Sequence, residues 1–156
     1  MEENTLRSLI NTIVNEVAPR DITLDEAQAL SKQIRSKARE MGVNAVVAIS
    51  NSAGHPVLIE CMDNAYIASY DVALQKAFTV VSLKMSTSTL KPLAQPGGSL
   101  YGIQFTNNGR IVIFGGGEPL CSGDKIIGGL GVSGGSEEQD TALAAYGKQL
   151  FEKGGK

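Results

Sequence analysis

The chain has 156 residues, 42% of them hydrophobic, and a formal net charge of −2. That length supports one domain over 1–156 with a core of its own, and the balanced charge offers no general attraction to nucleic acid or an anionic membrane. Two cysteines, one histidine and no tryptophan exclude a disulfide scaffold and a self-contained His-rich zinc site, which takes about four ligands.

The N-terminus begins Met1-Glu2-Glu3-Asn4, acidic and without the apolar core of a signal peptide. No apolar run approaches the roughly 20 residues of a membrane span. Cys61 and Cys121 stand sixty positions apart with no C-x-x-C, and read as reduced thiols. The expectation is a soluble, cytoplasmic protein.

Residues 5–17 carry Leu6, Ile10, Ile13, Val14 and Val17 at helical spacing,, with Pro19 as the stop. Thr23-Leu24-Asp25-Glu26 is a capping box opening a second helix. Its stripe is Ala27, Leu30, Ile34, Ala38 and Met41, and Gly42 ends it,. The period then changes. Ala45–Ser50 and Pro56–Cys61 read as strands joined by turn chemistry at Asn51–Gly54, a hairpin. A third helix is expected over Ala65–Lys84, with Ile67, Val72, Ala77, Val80 and Val81 inward. Ser86–Leu93 reads as a short helical turn, and Gln95-Pro96-Gly97-Gly98 as a loop. Arg110–Phe114, after the Asn107-Asn108-Gly109 turn, reads as a strand. Gly115-Gly116-Gly117 separates it from Glu118–Cys121, and Ser122-Gly123-Asp124 turns into a last strand over Lys125–Val132. Ser136, with Gln139 at the capping-box position, opens a final helix whose apolar face is Leu143, Tyr146 and Leu150. Turns this short join antiparallel strands. The fold class is therefore α+β: a single antiparallel sheet of about five strands with helices packed on its faces.

The stretch "GGLGVSGGSEEQD" spells G-x-G-x-x-G at Gly129, Gly131 and Gly134. A dinucleotide turn needs a βαβ unit and an acidic residue about 20 positions further on. Here that count reaches the chain's last residues, and Glu137, Glu138 and Asp140 would repel a pyrophosphate. Glycines in a strand instead let another backbone approach closely. Ser133 has no G-x-S-x-G around it, so no nucleophile elbow is read.

"GHPVLIECMDNAYIASYDVALQKA", "GRIVIFGGGEPL" and "IIGGLGVSGGSEEQD", in that order and spacing, resemble the GlcG/HbpS family over roughly Leu24–Leu150. The chain is similar in look to the C-terminal domain of PduO-type corrinoid adenosyltransferases and to single-domain relatives in diol and glycerol utilisation clusters. The catalytic adenosyltransferase domain is not part of the resemblance. The resemblance implies a profilin-like fold, homo-oligomers and, for some members, haem bound at exposed sites near subunit contacts. The family usually places Arg before its Met-Asp pair; here Cys61 stands there.

On that basis the chain is expected to be a non-enzymatic accessory module that binds haem or a related tetrapyrrole. His55, in the turn Gly54-His55-Pro56, is the candidate metal ligand; the plain alternative is an exposed turn residue. Cys61 and Met62 are further sulfur candidates. Asp63, Asp71, Lys76 and the glycines Gly115, Gly116 and Gly117 are candidate ligand-binding residues. If they frame one pocket, a small-molecule enzyme is the alternative; a structural ion pair is the plain one. An assembly factor with no ligand is the third reading. The first and last helices carry apolar stripes wider than one sheet covers, which a dimer or higher assembly would use.

Overall fold

The computed structural model describes residues 2–17 and 20–154; the stop expected at Pro19 lies outside them. The elements are α1 (Glu2–Val17), α2 (Leu24–Glu40), β1 (Val46–Asn51), β2 (Pro56–Cys61), α3 (Ile67–Leu83), α4 (Thr87–Leu93), β3 (Gly117–Ser122), β4 (Lys125–Ser133) and α5 (Glu137–Gly154). The strands form one sheet in the order β2-β1-β4-β3, antiparallel throughout. The α+β class stands. Among the described residues no helix is long and apolar enough to cross a membrane.

The sheet has four strands, because Arg110–Phe114 does not join it. Asn107–Gly109 forms a 3-10 turn, and the segment after it lies on α3. There the Thr79 hydroxyl accepts the Val112 N–H at 3.0 Å, and the Arg110 guanidinium stacks 3.6 Å from the Phe78 ring centre. Its backbone is thus anchored to a helix side chain, so the β-branched run adds no ladder.

Alternation along β1 divides the core in two. Val47 and Ile49 face α2 and α5, joining Leu30, Ile34, Leu130, Val132 and Leu143. Val46 and Ala48 face α3, joining Ala73 and Ala77. Burying each large aliphatic of the first set stabilises the fold by about 1.5–3 kcal/mol before chain entropy is counted. The capping box of α2 forms as read: Thr23 N–H donates to the Glu26 carboxylate at 2.9 Å, and Glu26 N–H to the Thr23 hydroxyl at 3.2 Å. Ser136 and Gln139 exchange the same pair of bonds before α5. In α3, Ala77 and Val80 are buried as expected, but Ile67 at the first turn is 96% exposed. The stripe of α1 has no extensive contact with another described element.

The glycines of β4 explain how α3 sits. A Cβ on Gly131 would collide with the Ala73 carbonyl oxygen, and one on Gly129 with the Ala77 carbonyl. Glycine on the strand and alanine on the helix let the two backbones nearly touch. The G-x-G is therefore a helix-docking surface. Replacing Gly131 with Ala is expected to lower stability by about 1–3 kcal/mol, the cost of overpacking, read as a reduced urea midpoint. An unchanged midpoint would show that α3 does not approach this closely.

Candidate functional site

Close docking of α3 has a consequence for Lys76, one residue before Ala77. Its side chain is carried toward the end of β4 and is fully buried. A buried ammonium needs partners. Its Nζ donates to the Val132 carbonyl of β4 at 2.8 Å and to Asp140 Oδ2 of α5 at 3.4 Å, and lies 5.0 Å from the Phe114 ring centre. Asp140 also accepts the N–H of Gly135 at 2.8 Å and of Gly134 at 3.4 Å. The glycine turn closes over the pair. Gly116 has φ +112, and a Cβ there would stand 2.5 Å from Lys76 Nζ. The turn is pinned on both sides: Gly115 N–H donates to Glu137 at 2.9 Å, Gly117 N–H to the Thr87 hydroxyl at 2.9 Å. Glu137 also meets Lys91 at 2.6 Å.

Burial pulls the Lys76 ammonium below its usual range, opposed by Asp140 and then Glu137. Burial likewise pushes the Asp140 carboxyl up, opposed by the Gly135 N–H, Lys76 and the Gly134 N–H. Both partners are driven toward neutrality by the same desolvation, and each restrains the other. Chemically, the arrangement clamps α3, β4, the glycine turn and α5 together.

The structure places Lys76 against Gly116, while Gly115 faces Thr141 and Ser88 and Gly117 faces Thr87 and Val80. It does not bring Asp63 or Asp71 to them. Asp71 is exposed on α3 and accepts from the Gln75 amide at 3.1 Å. Asp63 is exposed beyond β2, lining a groove of about 500 Å³ with Arg35, Arg39, Asn44, Cys61 and Met62. The carboxylate partner of Lys76 is Asp140, 64 positions away, in a run read from sequence only as an acidic first turn. Nothing local marks one of the three carboxylates, Glu137, Glu138 and Asp140, as inward. Met62 is committed to the fold, since its sulfur accepts the Ala45 N–H at 3.4 Å. Cys61 is exposed on the groove's wall, and Arg35 is held there by Glu60 at 2.6 Å. His55 is exposed in the β1–β2 turn. Its backbone N–H donates to Asn51 Oδ1 at 3.0 Å, and no described contact engages its ring. Among the described residues no group of three His, Cys, Asp or Glu side chains is placed to hold a metal ion.

A sheet covered on both faces, with a sealed ion pair and its polar grooves at the rim, defines a small α+β module whose accessible chemistry is peripheral. The family model described as haem degrading protein HbpS-like matches residues 22–149, and the chain belongs to the HbpS-like family. It is similar to an uncharacterised 15.0 kDa protein from the dhaT–dhaS intergenic region of Citrobacter freundii, at 42% identity over 83% of this chain and 92% of that one. It is 36% identical, over 83% of its length, to the corrinoid adenosyltransferase PduO of Salmonella typhimurium, but spans only 38% of that protein. The crystal structure of a PduOC–haem complex superposes with a TM-score of 0.80 at 34% identity, covering 83% of this chain and 94% of that one.

Two outcomes test the clamp. Lys76→Met leaves a buried carboxylate uncompensated and is expected to cost about 3–5 kcal/mol; Lys76→Met/Asp140→Asn, which removes both charges and keeps an acceptor for Gly135, should recover part of that in urea denaturation. A double variant no more stable than Lys76→Met refutes the coupling. Glu137 is held below the usual carboxylate range, first by the Gly115 N–H and then by Lys91. A lowered acid contributes stability that is present above its unfolded value near 4.5 and lost as pH falls through the folded one. Glu137→Gln should therefore destabilise the protein at pH 7 and flatten the acid limb of its pH–stability curve; an acid limb parallel to wild type counts against the latch.

Proposed function

We propose that this chain is a non-catalytic accessory module that binds haem or a related tetrapyrrole, such as a corrinoid, in cytoplasmic diol or glycerol metabolism. The observation that carries the reading is the likeness to PduOC, a protein solved with haem, along most of this chain. The relatives' genes and activities, corrinoid adenosyl transfer and a dhaT–dhaS neighbourhood, suggest the metabolic setting. Two free thiols suit a reducing compartment.

The residues present fit the group at the periphery. Imidazole is a common haem ligand, and His55 presents a ring with no described partner on an exposed turn. One chain would supply one imidazole nitrogen, and His55 of another copy across a two-fold contact would supply a second, coupling ligand binding to oligomerisation. When bound, haem supplies redox and ligand-binding chemistry; the chain holds and orients it.

A titration of the purified protein with haem should give a saturable Soret shift at one haem per two chains. His55→Ala should weaken binding by about tenfold or more and abolish the bis-imidazole spectrum. No saturable shift rejects tetrapyrrole binding, whereas an unchanged spectrum in His55→Ala rejects this ligand and leaves the binding.

A further inference from the structure

Arg110 is held at three points and met by no carboxylate. Its guanidinium stacks on the Phe78 ring, 3.6 Å from the ring centre. Its Nε donates to Gln75 Oε1 at 3.1 Å. Its backbone carbonyl accepts from the Thr79 hydroxyl at 3.4 Å, and that hydroxyl accepts the N–H of Val112 at 3.0 Å. Gln75 is oriented in turn, since its amide nitrogen donates to Asp71 at 3.1 Å, one helical turn back. Asp71 thus takes the glutamine rather than the arginine, and fixes which end of that amide points at Arg110. Among the described residues, no hydrogen bond or ion pair engages the two terminal nitrogens of Arg110.

Bracing the chain does not require a charge here, because Thr79 already anchors the backbone of this segment. A half-buried guanidinium with its Nε occupied keeps its end-on fork open. That fork matches a carboxylate through two parallel N–H···O bonds. Stacking and the Gln75 bond fix the side chain beforehand, which spares the rotamer entropy that a free arginine loses on binding.

The surroundings point to one carboxylate in particular. Gly54, immediately before His55, is buried with φ +79, and a Cβ there would stand 3.0 Å from Phe78 Cδ2. The β1–β2 turn therefore rests on the same ring that Arg110 covers. The backbone that presents His55 and the guanidinium are separated by little more than one aromatic ring. A haem carries two carboxylates on one edge of its macrocycle, whereas the side chains of a corrinoid end in neutral amides.

We infer that Arg110 is the carboxylate-binding residue of the tetrapyrrole site, and that it selects haem, with its free propionates, over an amidated corrinoid. Arg110 has this role only if the chain binds a tetrapyrrole as proposed above. Asp71 and Gln75 act through Arg110, as positioning residues.

The full chain is titrated with haem and with haem dimethyl ester, whose carboxylates are capped. Wild type should bind haem about tenfold or more tightly than the ester. Arg110→Gln should abolish that preference, weakening haem to the level of the ester while leaving the ester's affinity and both Soret positions unchanged. Arg110→Lys, which keeps the charge and loses the fork, should fall between. Wild type that binds acid and ester alike, or an Arg110→Gln protein that retains the preference, overturns the role of Arg110 and leaves tetrapyrrole binding standing. Equal weakening of both ligands in Arg110→Gln means that the arginine only braces Phe78, and overturns it too. No saturable Soret shift with either ligand in wild type rejects tetrapyrrole binding itself, and the role of Arg110 with it.

Discussion

The near-contact of α3 with β4 governs the rest of the molecule. Gly129 and Gly131 remove the side chains that would hold the helix off the strand, and Ala73 and Ala77 offer methyl groups in return. With the backbones this close, there is no room for a long side chain to leave between them toward water. Lys76 is thereby trapped, and a trapped ammonium must be met by fixed acceptors. Val132 O and Asp140 meet it, and the glycine turn passes over them because Gly116 alone tolerates both the backbone angle and the space. One steric choice in β4 thus propagates into an electrostatic clamp across four elements.

A clamp of this kind is weak as a source of net stability. The desolvation of both charges is of the same order as their attraction, and here burial works against the charged form of each partner. Its value lies in specificity: an ion pair between α3 and α5, with the strand's carbonyl as third partner, accepts one register of helix on sheet and penalises others. Glu137, which bonds the glycine turn and Lys91, extends the same logic to α4 at the surface.

Because the interior is committed to holding itself together, ligand chemistry is left to the rim. The β1–β2 turn presents His55, and the far end of β2 presents Cys61 beside Arg35 and Arg39. The family's usual arginine before the Met-Asp pair is absent, yet α2 delivers two guanidinium groups to the same groove. In the proposed reading, the one exposed imidazole of each chain would be joined by that of a second copy, which would tie haem binding to assembly.

Local chemistry was legible from the residues. Both capping boxes, the β1–β2 hairpin, the buried stripe of α2 and the α+β class follow from short-range rules of spacing and hydrogen bonding, and they hold. The G-x-G-x-x-G was legible as a close-approach surface, since its context denied a nucleotide. Two things were not. Arg110–Phe114 has strand composition, but its backbone is claimed by Thr79, a partner 33 positions away. Lys76 was visible as a functional or structural lysine, but its carboxylate was sought at Asp63 and Asp71, on nearby chain, and lies at Asp140. Sequence by itself determined which segments form helices and strands and which faces are apolar, because those depend on neighbours within a few residues. Tertiary structure alone decided which charge meets Lys76 and which extended run enters the sheet, because both depend on distances between residues that the fold, and not the chain, makes adjacent.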